Sequence, residues 1–150
     1  MSDPLAFLLT WTTYGSWTRG DSRGWVKKGE SGIKAEDVPL NARAGADQKE
    51  TTLLLDEKQR HVVDTTIRDH CKFRGWTLHA INVRTNHVHV VVTADRDPDD
   101  VMTQFKAWCS RKLKVTDSER ERWWTKGGST KWINDEAYLA NAIRYVLERQ

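Results

Sequence analysis

Cysteine is scarce in this chain of 150 residues, which holds only Cys71 and Cys109. They stand apart, each within a helical pattern. That suits buried thiols in a reducing cytoplasm better than a disulfide or a zinc knuckle. No apolar run approaches the roughly 20 residues of a membrane span, and the mean hydropathy is −0.71, so a soluble protein is expected, with no membrane partner. The opening MSDPLAFLLTW lacks a basic segment followed by a small-residue cleavage site. It does not read as a secretion signal, and a cytoplasmic location is expected. No internal repeat or low-complexity tract appears. What remains has the length of one domain, residues 1–150, with room for a sizeable core.

Charge is distributed more tellingly than its total of +3 suggests. Lysines and arginines interleave with tryptophans in WTRGDSRGWVKKG (17–29), FKAWCSRKLK (105–114) and RERWWTKGGSTKW (120–132), and eight tryptophans is a heavy load for this length. Cations that meet phosphates, beside flat rings that stack on unpaired bases, are what a groove for single-stranded nucleic acid requires. Some of these rings must also serve the core. Arg19, Arg23, Lys27 and Lys28 are the candidate phosphate contacts.

The most informative stretch is NVRTNHVHVVVTA, residues 82–94. Its valines favour a strand, on which alternate side chains point to opposite faces. His87 and His89 therefore share one face, while Val88, Val90 and Val92 form an apolar row on the other. Two neutral imidazoles side by side can share a divalent cation.

Around this stretch the pattern reads strand (5–14), helix (Asp56 to about Arg74, stopped by Gly75), strand (76–83), the histidine strand, helix (99–114), short strand (129–134) and final helix (135–150). The segment 15–50 has no clean period. This order predicts an α+β, ferredoxin-like split βαβ sandwich: an antiparallel sheet with two helices on one face, the other face free for the histidines, and a further C-terminal helix. On that last helix Leu139, Ile143, Val146 and Leu147 are spaced as a buried stripe. Tyr145 lies about 200° around from Ile143 at 3.6 residues per turn, which takes it off the stripe and beside Tyr138, Asn141, Glu148 and Arg149.

A tyrosine in that position is a surface aromatic or a nucleophile. Paired histidines combined with a late tyrosine suggest metal-assisted attack on a phosphodiester, with the cation offsetting charge on the phosphate oxygens. A free phenol titrates near 10, so ionisation would need that cation or a neighbour such as Arg144 or Arg149.

NHVHVVV resembles the histidine, hydrophobic residue, histidine signature of the HUH single-tyrosine transposases, and LANAIRYVLERQ resembles their tyrosine helix. LTWTTYGSWTRGDSRGWV is similar to the opening of the REP-associated tyrosine transposases and transposase-like proteins. The resemblance runs over nearly the whole chain. It implies a metal-dependent endonuclease and strand transferase acting on single-stranded DNA with hairpin ends, using Mg2+ or Mn2+, as a possible homodimer. It also implies His87 and His89 as metal ligands and Tyr145 as the nucleophile of a 5′-phosphotyrosine link. The family's third ligand falls one turn beyond the tyrosine, where this chain has Arg149, which cannot ligate a cation. Gln150, or Glu148, is the substitute. The runner-up is a binding protein of the same fold that recognises hairpin or single-stranded nucleic acid without chemistry. An RNA-binding module is disfavoured by histidines where stacking aromatics would stand.

Overall fold

The computed structural model describes residues 4–16 and 50–148. Its elements are β1 (Ala6–Thr12), α1 (Glu57–Arg74), β2 (Thr77–Val83), β3 (His87–Thr93), α2 (Pro98–Leu113), β4 (Ser129–Ile133) and α3 (Glu136–Glu148). The four strands form one antiparallel sheet in the order β2-β3-β1-β4. This is the expected α+β arrangement, with boundaries within a residue or two of those read from periodicity.

Local chemistry explains where the elements start and stop. Asp56 opens α1 with a reciprocal capping box, its carboxylate accepting from the Gln59 amide while the Gln59 side chain accepts from the Asp56 amide. Gly75 closes α1 in the left-handed conformation at φ 77°, and its amide reaches back to the carbonyls of Cys71 and Lys72. Asp97 caps α2 ahead of Pro98, where a missing amide hydrogen costs no helical bond. β2 carries an irregularity between Leu78 and Ala80 that leaves His79 over, with its Nε2 bonded to Thr93 Oγ1 at 2.7 Å.

Alternation along the strands makes two packed faces. On the first, Phe7, Leu9 and Trp11 of β1 and Val88, Val90 and Val92 of β3 meet Val63, Ile67 and Cys71 of α1 and Val101, Phe105 and Cys109 of α2. The three valines are fully buried, and each contributes about 1.5–3 kcal/mol. Both thiols are enclosed and unbridged, as expected. Burial pushes Cys71 up to about 11 and Cys109 further still.

The second face departs from expectation, because it is partly covered. α3 lies across it, with Leu139, Ala142, Ile143 and Val146 packed on Ala6, Leu8, Ala80, Val91 and Ile133. Small alanines on two strands let the helix sit close. Leu147, expected in the buried stripe, is 53% exposed, and Ala142 takes its place on the sheet side. A rotation of this size along a short helix is decided by which side chains the sheet can accept. Among the described residues no helix is long and apolar enough to cross a membrane.

Candidate active site

The cross-strand register brings the site together. Thr10 of β1 pairs with His89 of β3, which pairs on its other side with Asn82 of β2, and Thr12 pairs with His87. All five residues lie on or beside the α3 face. The His87 and His89 rings are 4.7 Å apart between centroids, close enough to face one small cation.

Their orientation is set by neighbours. His87 Nδ1 lies 2.7 Å from Asn86 Oδ1. That oxygen only accepts, so Nδ1 carries the proton and the lone pair sits on Nε2. His89 Nδ1 lies 2.9 Å from Thr10 Oγ1, and in the tautomer that donates to the hydroxyl its lone pair is also on Nε2. Fixing the far nitrogen in this way aims a ligating histidine. Burial, and then the nearby Arg84 guanidinium, holds the His87 imidazole below its ordinary value of 6.5. It is therefore neutral at pH 7, as a metal ligand must be.

α3 brings Tyr145 to the same place. Its ring stands edge-on to His89 at 5.7 Å between centroids, with an interplanar angle of 77°, and the residue is 41% exposed. Asn82 ties the helix down nearby, its Nδ2 donating to the Val146 carbonyl at 2.9 Å. His89, Tyr138, Asn141 and Tyr145 then line an open cleft of about 600 Å3 with Leu8, Thr10, Ser129, Lys131 and Ala142.

Two imidazoles side by side on one face are a suitable partial donor set for a divalent cation. Among the described residues, no third histidine, cysteine, aspartate or glutamate completes a cluster of three. Glu148 is exposed at the end of α3 and does not join the pair. Gln150, the other candidate third ligand, lies outside the described residues, as do Arg19, Arg23, Lys27 and Lys28.

The basic and aromatic stretches divide. Trp11, Trp76 and Trp123 are core residues, while Trp108 and Trp132 are exposed. Arg120 is buried, and its guanidinium binds the Thr51 and Arg122 carbonyls. Lys106 Nζ caps the carbonyls of Thr125 and Gly127. Those two cations hold loops together. Arg111, by contrast, stacks 4.4 Å above the Trp108 ring.

Sequence reasoning missed Thr10, Asn82 and Asn86. Asn86 had a readable signal, since it precedes His87. Thr10 and Asn82 had none, because strand register is invisible in one sequence.

Three comparisons bear on this arrangement. The family model described as "Transposase IS200 like" matches residues 48–148. A REP-associated tyrosine transposase, solved bound to a REP hairpin, superposes with a TM-score of 0.57 at 11% identity, covering 97% of this chain and 66% of that one. A protein of Deinococcus radiodurans R1 described as a candidate transposase superposes with a TM-score of 0.58 at 13% identity, covering 99% of this chain and 92% of that one. At such identities the two structures speak for the fold alone. No curated protein sequence matches.

Proposed function

The chain belongs to the IS200-like transposase family, and from that premise we propose that it cleaves and rejoins single-stranded, hairpin-bearing DNA through a covalent bond to Tyr145. The observation that carries the reading is the meeting of Tyr145 with the His87–His89 pair. A residue from the end of the chain and two from its middle share one face of the sheet, with ring centroids 5.7 Å and 4.7 Å apart. Core packing alone does not call for a half-exposed phenol beside two aimed imidazoles.

In this reading the Tyr145 phenolic oxygen attacks the scissile phosphorus. The bond from phosphorus to the 3′ oxygen of the preceding sugar breaks, that oxygen leaves as a hydroxyl after taking a proton, and the phosphate stays on the enzyme as 5′-phosphotyrosine. The bond energy is retained for rejoining. His87 and His89 would hold Mg2+ or Mn2+, which when bound supplies the positive charge that polarises the scissile phosphate. Asn86 and Thr10 keep the imidazoles turned toward that position, and Asn82 keeps the tyrosine's helical turn seated over them. The hairpin seen with the REP-associated relative supports DNA of that shape as the substrate.

The test is incubation of the protein with a single-stranded hairpin oligonucleotide and Mn2+, followed by denaturing electrophoresis. A DNA adduct that survives denaturation is expected from the natural chain. It should be absent from Tyr145→Phe and reduced at least 100-fold in His87→Ala. Retarded migration in a native gel without any adduct would instead identify a binding protein of the same fold.

A further inference from the structure

We propose that the cleft between β4 and α3 is the subsite for the nucleotide adjoining the scissile phosphate, with the Lys131 ammonium pairing with that nucleotide's own phosphate. The inference rests on the reading of His87, His89 and Tyr145 as the cleavage centre, and it adds a place for the nucleotide next to it.

Lys131 belongs to the edge strand β4, where lysine often serves only to discourage pairing with another sheet. Its place here is more specific. Along β4, Trp132 points to the α1–α2 face, where it meets the Phe7 ring edge-on at 5.4 Å. Its neighbours Lys131 and Ile133 therefore point to the α3 face. Ile133 is packed there with Ala142 and Val146, and Lys131 lines the cleft that has His89 and Tyr145 at its other end.

Register gives the separation. Ser129, Thr10 and His89 stand in one cross-strand row, and Lys131 faces Leu8 in the next. Two strand spacings across and two residues along amount to about 12 Å between the His89 and Lys131 backbones. A four-carbon stem reaching inward from one end of that span leaves room for one nucleotide between ammonium and imidazole.

The lining suits such an occupant. The cleft's volume of about 600 Å3 lies within the roughly 300–1,000 Å3 of small-ligand sites. Leu8 and Ala142 supply an apolar floor, Ser129 and Asn141 supply hydrogen-bonding groups, and Tyr138 supplies a ring. Among the described residues no carboxylate lines the cleft and Lys131 enters no ion pair. Lys106, in comparison, spends its charge on backbone carbonyls, and Arg120 spends its charge on backbone carbonyls and on Glu50, 4.0 Å away.

The experiment is a thermodynamic cycle on the full chain. Binding of a single-stranded hairpin oligonucleotide is measured by fluorescence anisotropy in a Tyr145→Phe background, with Lys131 natural or replaced by Ala or Arg. The oligonucleotide carries one neutral methylphosphonate at each position flanking the scissile link in turn. With Lys131 present, one flanking position should lose about tenfold in affinity, the size of a charge-assisted contact. Lys131→Ala should lose the same factor on unmodified DNA and nothing more at that position, and its salt slope should fall by roughly 0.7. Lys131→Arg should restore both. Equal affinity for Lys131→Ala and its parent, or equal methylphosphonate penalties in both proteins, overturns the proposal.

The adduct assay separates the two readings. A closed cycle without any adduct from the natural chain would leave the subsite standing and remove the nucleophile. An adduct without the cycle would do the reverse, and no binding to any of these oligonucleotides would end both.

Discussion

Replacing Thr10 with valine removes one oxygen and little else, which makes it a sensitive probe of how the histidine pair is held. Valine keeps the branched shape that favours a strand and nearly the same volume, so no cavity opens. What disappears is the 2.9 Å bond to His89 Nδ1. His89 is only 7% exposed, so water replaces the lost partner poorly, and the cost is about 1–3 kcal/mol. For a chain of this size each kcal/mol lowers the melting temperature by about 2–4 °C. The functional effect should be larger than the stability effect. With Nδ1 released, the imidazole is free to change tautomer and to turn, and loss of such an outer partner weakens a metal site by about 10–100-fold. Isothermal titration with Mn2+ and the rate of DNA adduct formation read this directly, with Thr10→Ser as the control that keeps the hydroxyl. The reasoning is refuted if Thr10→Val binds Mn2+ as tightly as the natural protein, or if Thr10→Ser is impaired as much as Thr10→Val.

The metal-free protein should lose stability in mild acid. His79 and His87 both titrate below 6.5 when folded, His79 through burial and His87 through burial and then Arg84. The unfolded chain therefore takes up protons first as pH falls through about 6.5, so the stability present above that value declines toward the lowered folded values. Melting temperatures between pH 7.5 and 5.5 should show this fall, and a His79→Gln, His87→Gln double variant should flatten it. Gly128→Ala should be destabilised by about 1–3 kcal/mol. Its φ is 156°, and an added Cβ would lie 2.7 Å from the Thr10 carbonyl and 2.8 Å from Met102 Sδ. Urea denaturation checks this, and a change of less than about 0.5 kcal/mol would mean that the 125–128 turn yields more easily than its packing implies.

The sequence by itself determined the order of elements, because each is written in short-range chemistry. The alternating valines around His87 and His89 specify a strand and the face its histidines share, the Asp56 box and Gly75 specify where α1 begins and ends, and the departure of Tyr145 from the apolar stripe follows from helical geometry alone. The tertiary structure decided what those faces meet. Only the β1–β3 register sets Thr10 opposite His89, and a shift of one residue would have turned Phe7, Leu9 and Trp11 toward the imidazoles instead. Only packing shows that α3 lies on the histidine face, pressed against Ala6 and Ala80 with Ala142 inward and Leu147 outward. Lys131 gains its place by the same route, as an edge-strand lysine in sequence and one wall of a cleft once α3 has settled beside it. Contacts between residues far apart along the chain depend on how whole surfaces fit together, and no local pattern of polar and apolar residues encodes that.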